Sequence, residues 1–138
     1  MTDARTEALE WLNVFAGACR GKDFATGRRL FAPDAVAFGT YATAVHGLDN
    51  IEREQWRQIW PRIQGFRIEG VPTVVAADGS AWVAAAWASE ATAPDGSTFT
   101  RRGRATFVLA RREGHWLAVH SHVSLLPTQS AAAHGRPA

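Results

Sequence analysis

Residues 114–127 read GHWLAVHSHVSLLP, and this stretch predicts the last strand of a β-sheet. Side chains alternate between the two faces of a strand, so His120, His122 and Ser124 share one face. The other face carries four aliphatic side chains, those of Leu117, Val119, Val123 and Leu125. Buried polar groups need partners. Either a hydrogen-bond network satisfies the histidines or they line a pocket, and we expect them to face an enclosed, tryptophan-walled space between sheet and helices.

Four long strands are predicted after Pro61, separated by dipeptides that favour tight hairpin turns. The dipeptides are Asp78-Gly79, Asp95-Gly96 and Glu113-Gly114, and the strands are residues 63–77, 80–93, 97–112 and 115–126. Strands of this length must twist and bend. Glycine and proline mark bends and bulges within strands, so the candidate bend positions are Gly70, Pro72 and Gly103.

Helices are predicted ahead of these strands. Asp3 is the expected N-cap of the first helix and Asp23 that of the second, which runs to about residue 31 and is stopped by Pro33. The remaining elements are a short strand at 35–39, a loop or broken strand at 40–47 and a third helix at 48–60. Helices followed by a curved antiparallel sheet make an α+β domain, with a cavity between the two layers.

Composition restricts the class of protein and its partners. The chain has 138 residues, 46% of them hydrophobic, enough for one domain at 1–127; the small and polar residues 128–138 read as a disordered tail. A net charge of +2 is too small to indicate nucleic-acid binding, and no apolar segment is long enough to span a membrane. The single Cys19 and the absence of a visible signal peptide predict a cytoplasmic protein.

The order of elements resembles that of the NTF2-like superfamily, whose cystatin-like α+β fold is a cone. Near the end of the domain, the segments RREGHW at 111–116 and HSHVS at 120–124, followed by Pro127, resemble the SnoaL-like branch. That branch is similar to the association domain of calcium/calmodulin-dependent kinase II. The segment LFAPDAV at 30–36 and the dipeptide His46-Gly47 support the resemblance. It implies three N-terminal helices packed on a curved antiparallel sheet.

The resemblance implies a ligand pocket and a homodimer, and it leaves the activity open. This scaffold hosts isomerases, cyclases, dehydratases, epoxide hydrolases and non-catalytic oligomerisation domains. Ketosteroid isomerases of this fold carry a general-base Asp after the first short strand, whereas residues 36–39 here read VAFG, which argues against that mechanism. Two hypotheses follow: a small-molecule-binding protein that acts as a cofactor-independent acid–base enzyme of the isomerase, cyclase or lyase type, or a homo-oligomerisation domain with a vestigial pocket.

The predicted site centres on His122 and His120 as proton-transfer groups, because a histidine titrates near neutral pH. Arg104 is the predicted anchor for a carboxylate or carbonyl, so the expected ligand is polar or anionic with an apolar part. The other predicted ligand-binding residues are Thr106, Ser124, Tyr41, His46, Trp56, Trp60 and Trp87. No cofactor is expected.

Strand register decides which side chains meet the histidines. A two-residue turn at Glu113-Gly114 pairs Phe107 with His120, whereas a bulge brings Arg104 and Thr106 onto the histidine face. The residues leave both registers open. The resemblance implies an inward arginine and threonine, which favours the bulge and an inward Arg104.

The register of the two preceding strands, and the spacing of the two histidines, lead to further predictions. A two-residue turn at Asp95-Gly96 sets Trp87 opposite Arg104 and Glu90 opposite Arg101, and we expect the second pair to be structural. Two histidines at i and i+2 also have a metal-ligand spacing. A third ligand could come only from His46 or Glu90, so no metal is predicted.

Overall fold

The protein is described here from a computed structural model, which covers residues 3–127. Its helical segments are α1 (Ala4–Gly21), α2 (Phe24–Arg29), α3 (Leu48–Ile51), a π-helical turn (Glu52–Trp56), α4 (Arg57–Ile59) and a 3₁₀ turn (Trp60–Arg62). Its strands are β1 (Phe31–Phe38), β2 (Ala44–His46), β3 (Ile63–Ala76), β4 (Ser80–Thr92), β5 (Thr98–Arg112) and β6 (His115–Leu125). The predicted tail at 128–138 lies outside the described residues.

Both predicted helix starts are confirmed by capping hydrogen bonds. Asp3 Oδ1 accepts from the Thr6 backbone N–H at 2.7 Å, and Asp23 Oδ1 accepts from that of Thr26 at 3.1 Å. Each aspartate thereby satisfies one of the N–H groups that a helix leaves unpaired at its first turn. The caps fix where the helical layer begins.

The boundary between α2 and β1 differs from the prediction. The helix ends at Arg29 and the strand already begins at Phe31, so Pro33 lies inside a strand instead of stopping a helix. The proline is tolerated because the pairing of β1 with β6 is interrupted between Phe31 and Val36. No backbone N–H is therefore needed at Pro33 for the ladder.

The six strands form one sheet in the order β2-β1-β6-β5-β4-β3. β1 pairs with β6 in parallel, and every other neighbouring pair is antiparallel. The helices cover one face of this sheet. Phe15 of α1 packs there against Phe107 of β5, with ring centroids 5.1 Å apart. We call this covered face the inner face, and the opposite face the outer face.

Two of the three hairpin turns have the predicted length. Arg112 pairs with His115 across Glu113-Gly114, whose φ angles of 51° and 79° place both turn residues in the left-handed region. Positive φ at both positions is the type I′ geometry that matches the twist of a hairpin. The Asp78-Gly79 turn is also short, since Ala77 N–H donates to Ser80 O at 2.8 Å.

The turn at Asp95-Gly96 is one residue longer than predicted. Ala93 N–H donates to Ser97 O at 2.7 Å, so three residues close the loop, and Gly96 has a φ of 88°. Every pair between β4 and β5 therefore shifts by one position. Trp87 lies opposite Gly103 and Glu90 lies opposite Thr100. The predicted pairs with Arg104 and Arg101 are wrong.

Bends occur in β3, as the glycine at position 70 predicts. The pairing of β3 with β4 is irregular at 64–67 and at 69–73, and Gly65 and Gly70 have φ angles of 65° and 69°. Gly103 has a different role from the one predicted, because the pairing of β4 with β5 is regular around it. The indole of Trp87 lies against it, and a Cβ at Gly103 would overlap the indole and the Ser124 carbonyl oxygen.

Replacing Gly103 should therefore disturb the inner face. We expect Gly103→Ala to lower the free energy of unfolding by about 1–3 kcal/mol, because overpacking forces backbone and side chains apart. Urea unfolding followed by circular dichroism measures this loss. Gly21→Ala is the control, since a Cβ there meets nothing within 4 Å. Equal stability of Gly103→Ala and wild type would contradict the close packing of Trp87 on this glycine.

Candidate functional site

A β-bulge at Val119 decides which way the last strand faces. Leu109 pairs with Ala118 and Val108 pairs with His120, so Val119 is an extra residue without a partner in β5. Ala118, before the bulge, points to the core and is 0% exposed. Ser121, after the bulge, also points to the core and is 2% exposed. A bulge reverses the alternation of side chains along its strand.

The predicted orientation of the histidines is therefore wrong. His120, His122 and Ser124 lie on the outer face, away from the helices, while Val123 and Leu125 pack against the core. The period of two correctly places the three polar residues together. It does not say which face is covered, and the buried Ala118 and Ser121 decide this.

The outer face gathers the polar residues that the bulge hypothesis brings together. Thr106 pairs with His122 and Arg104 pairs with Ser124, whose Oγ accepts from Arg104 Nε at 3.1 Å. The predicted bulge is present, near the Glu113-Gly114 turn, but the expected inward orientation of Arg104 and Thr106 is wrong: both lie on the outer face with the histidines. Together with Ala105 these four side chains line a shallow depression in which Arg104 and His122 are exposed.

His120 is held by the neighbouring strand. Its Nδ1 lies 2.8 Å from the Val36 carbonyl oxygen, which accepts only, so this contact places the proton on Nδ1. Phe38 packs edge-on between His120 and His122, with centroid distances of 4.9 and 5.2 Å. The outer histidines are thus part of a partly exposed aromatic cluster on β1 and β6.

A cavity that is partly open to solvent lies on the inner face, between the sheet and the helices. Its empty volume is about 470 Å³ including the part open to solvent, of which about 40 Å³ admits the centre of a water molecule. The lining residues are Phe15, Cys19, Thr40, Gln55, Trp56, Ile59, Trp60, Ile63, Phe66, Trp87, Arg101 and Val123. Aromatic walls with few polar groups are typical of a small-molecule site.

The predicted aromatic residues divide between this cavity and the surface. Trp56, Trp60 and Trp87 line the cavity, and the rings of Trp56 and Trp60 stack at a centroid distance of 4.8 Å. Tyr41 is 66% exposed, and His46 is exposed on β2. Neither of these two is among the lining residues; of the loop between β1 and β2, Thr40 reaches the cavity instead.

Arg101 is the charged residue of the cavity. Only 8% of its surface is exposed, and its Nη2 donates to Thr40 Oγ1 at 3.3 Å. Its guanidinium lies 5.5 Å from the ring centroid of Trp87, a cation–π contact. Within residues 3–127, no carboxylate forms an ion pair with it. Burial lowers the pKa of Arg101, because desolvation disfavours the charged form.

Two more lining residues carry buried polar atoms without hydrogen-bond partners. Gln55 Oε1 and Trp87 Nε1 find no donor or acceptor in the part of the chain that the structure describes. An unpaired buried polar atom costs about 1–3 kcal/mol. Natural structures leave few such groups, and each of them calls for an explanation.

A π-helical turn and a glycine position Gln55. The turn at Glu52–Trp56 adds a residue to the helical stretch, so that Gln55 and Trp56 are both buried. A Cβ at Gly39 would lie 2.6 Å from Gln55 Cδ, so the glycine makes room for the amide. π-Helical turns occur frequently at functional sites.

Cys19 is the other titratable side chain that lines the cavity. Burial raises the pKa of its thiol to about 12, so it is protonated at neutral pH. A thiol in this state is a poor nucleophile. The lining therefore combines a protonated thiol and a guanidinium, and it contains neither an imidazole nor a carboxylate. This arrangement can bind and orient an anion.

Sequence reasoning missed Arg101, although a signal for it exists. Arg101, Gly103, Ala105, Phe107 and Leu109 alternate along β5, and all five are buried. An arginine at the end of an apolar alternation is expected to point inward with it. Arg104 falls between the members of this alternation, so it points to the opposite, outer face.

The sequence matches one known protein family over most of its length. The sequence profile described as a SnoaL-like domain matches residues 9–129. The chain belongs to the SnoaL-like domain family. This confirms membership of the NTF2-like superfamily. A search among curated proteins finds no match.

Solved structures show the same fold. A Xanthomonas campestris protein assigned to the calcium/calmodulin dependent protein kinase II association domains is 25% identical, with a TM-score of 0.77 over 92% of this chain and 90% of the other. An NTF2-like superfamily protein from Salmonella enterica is 20% identical, with a TM-score of 0.78 over 88% and 89%. A ketosteroid isomerase-like protein from Erwinia carotovora is 17% identical, with a TM-score of 0.77 over 91% and 98%.

The described residues contain no candidate metal centre. Among the described residues, no three His, Cys, Asp or Glu side chains come together as a metal-binding group. Glu90, one of the two possible third ligands, instead accepts from Arg67 Nη1 at 2.6 Å and from Thr100 Oγ1 at 2.8 Å. None of the described helices has the length and apolar character to cross a bilayer.

Proposed function

We propose that this SnoaL-like domain is a small-molecule-binding protein whose ligand occupies the cavity between helices and sheet. The observation that carries the proposal is the lining itself: stacked indoles beside a buried guanidinium that no carboxylate of the described chain neutralises. A core built only for stability is filled with apolar side chains, because an isolated buried charge is costly.

The size of the cavity favours a ligand with a single ring. An apolar cavity of about 150 Å³ is sufficient for benzene. The 470 Å³ here includes the part open to solvent, and only 40 Å³ admits water centres, well below the volume that benzene needs. A one-ring ligand therefore also occupies the part open to solvent, and the walls move apart to admit it; a larger ligand does not fit.

Binding is favoured over acid–base catalysis by the position of the titratable groups. The predicted proton-transfer residues His120 and His122 lie on the outer face, so a ligand in the cavity does not meet them. Cys19 holds its proton at neutral pH, since its pKa is about 12. The proposed function is therefore ligand binding without a proton-transfer step.

A cytoplasmic location stays a prediction from the sequence.

Tryptophan side-chain NMR tests the cavity directly. Of the six indoles, those of Trp56, Trp60 and Trp87 line the cavity, whereas Trp82 is 40% exposed. In ¹⁵N-tryptophan-labelled protein, titration with a series of one-ring aromatic compounds should shift the three cavity indole N–H signals and leave that of Trp82 unchanged.

A variant that fills the cavity provides the control. Val123→Phe places a ring in the ligand space and should abolish the shifts, while Val14→Phe, at a site that is 47% exposed on α1, should leave them as in wild type. Equal shifts in the two variants, or shifts of the Trp82 signal alone, would show that the compounds bind elsewhere.

We propose, as a second function, that the outer face forms a homodimer interface. One row of side chains crosses five strands there and is largely apolar: Val75, Trp82, Val108, His120 and Val36 are consecutive partners. Trp82 is 40% and Val75 51% exposed in the single chain. An apolar band of this extent favours a partner surface, and a second copy is the partner that the family resemblance implies.

Sedimentation velocity tests the proposed interface, because it measures whether the protein is a monomer or a dimer. Wild type is expected to sediment as a dimer at micromolar concentration, and Trp82→Glu as a monomer, because a charge would be buried in the band. Val71→Glu is the control, since Val71 is 90% exposed and lies outside the row. A monomeric wild type, or a dimeric Trp82→Glu, would exclude this interface.

A further inference from the structure

We propose that the ligand of the cavity is a small organic monoanion, a carboxylate on a one-ring planar body, bound through Arg101. This inference rests on the proposed binding function and adds the chemical class of the ligand. It assigns the anion anchor to Arg101 on the inner face, and it excludes Arg104 on the outer face from that role.

Arg101 brings a positive charge into the cavity. Arg101 is 8% exposed and forms no ion pair with a carboxylate of residues 3–127: it reaches the Thr40 hydroxyl and the face of Trp87. Buried charges in proteins are normally paired. Because an arginine keeps its proton even when burial lowers its pKa, it presents a full positive charge to whatever enters the cavity. A carboxylate supplies the missing charge and accepts two parallel N–H bonds.

The number of charges in the lining limits the charge of the ligand. Arg101 is the cationic side chain among the lining residues, and the Cys19 thiol beside it is neutral at physiological pH. One guanidinium neutralises one carboxylate. A dianion would bring a second negative charge into an apolar space with no partner, and a cation would be repelled. The cavity therefore selects monoanions.

Flat aromatic side chains form much of the wall of the cavity that Arg101 lines. The stacked pair Trp56 and Trp60 lines the cavity from the helical segments, and Trp87, whose ring centroid lies 5.6 Å from that of Phe66, lines it from the sheet. Flat aromatic walls favour a flat ligand, because aromatic pairs gain about 0.5–1.5 kcal/mol beyond the area they bury. Gln55 Oε1 and Trp87 Nε1, both unpaired, are an acceptor and a donor available to a ring substituent.

Isosteric probes separate charge from shape. Benzoate, benzamide and benzylamine have nearly the same size and carry a negative, a zero and a positive charge. We expect wild type to bind benzoate at least about tenfold more tightly than benzamide, the smallest gain expected from a charge-assisted hydrogen bond. Benzylamine should not bind. Titration calorimetry gives the affinities, and the indole N–H shifts report that the site is the cavity.

Variants assign the preference to one residue. Arg101→Gln should remove the preference for benzoate over benzamide, and Arg101→Lys should keep part of it, because a lysine retains the charge without the planar fork. Arg104→Gln is the matched control: it removes an arginine from the same strand but from the outer face, and it should bind benzoate as wild type does.

Each outcome decides the inference. Equal affinity of wild type for benzoate and benzamide overturns the monoanion while leaving a small-molecule site in place. Loss of benzoate binding in Arg104→Gln but not in Arg101→Gln moves the anchor to the outer face and overturns it too. Failure of all three probes to shift the cavity indoles counts against the binding function itself. The wild-type comparison decides the matter even where Arg101→Gln does not fold.

Discussion

A guanidinium buried without a counter-charge is the constraint on which this account of the molecule depends. Arg101 is 8% exposed in a space walled by indoles, and its described neighbours offer a hydroxyl and an aromatic face in place of a carboxylate. Such an arrangement is unfavourable for an empty protein. It becomes favourable when an anion enters, so the charge that weakens the fold is also the group that selects the ligand. Proteins commonly accept lower stability at a binding site in this way.

The sheet sets this charge in place through two local features. Gly103, two residues along β5, leaves room for the Trp87 indole that forms the cation–π contact with Arg101. The bulge at Val119 turns Ser121 and Val123 inward and His120 outward. Together they give the sheet an inner face whose cavity is lined by one guanidinium and an outer face with imidazoles, and the two faces are suited to different partners.

Much of the fold follows from local sequence signals, because these act within a few residues. The Asp3 and Asp23 caps and the turn at Glu113-Gly114 are each determined by side chains and φ preferences at the site itself. The turn at Asp95-Gly96 shows the limit, since one extra loop residue shifts the whole register of β4 against β5.

The candidate site was harder to predict, for a physical reason. Alternation shows which residues share a face, but burial of that face depends on the tertiary packing of distant helices. Alternation therefore groups His120 and His122 correctly with Arg104, but the inward orientation predicted for them is wrong. Arg101 carried a sequence signal in the apolar alternation that follows it, but the expected pairing with Glu90 hid it.

The stability of Arg101→Met tests most directly whether the guanidinium is kept for a ligand. Methionine has a similar length and no charge, and replacing buried charged groups by apolar ones is often neutral or stabilising. The account predicts that, without ligand, the free energy of unfolding in urea rises by about 1 kcal/mol relative to wild type. A fall of about 1 kcal/mol or more would show that Arg101 supports the fold, as a residue with satisfied partners does, and would contradict the account.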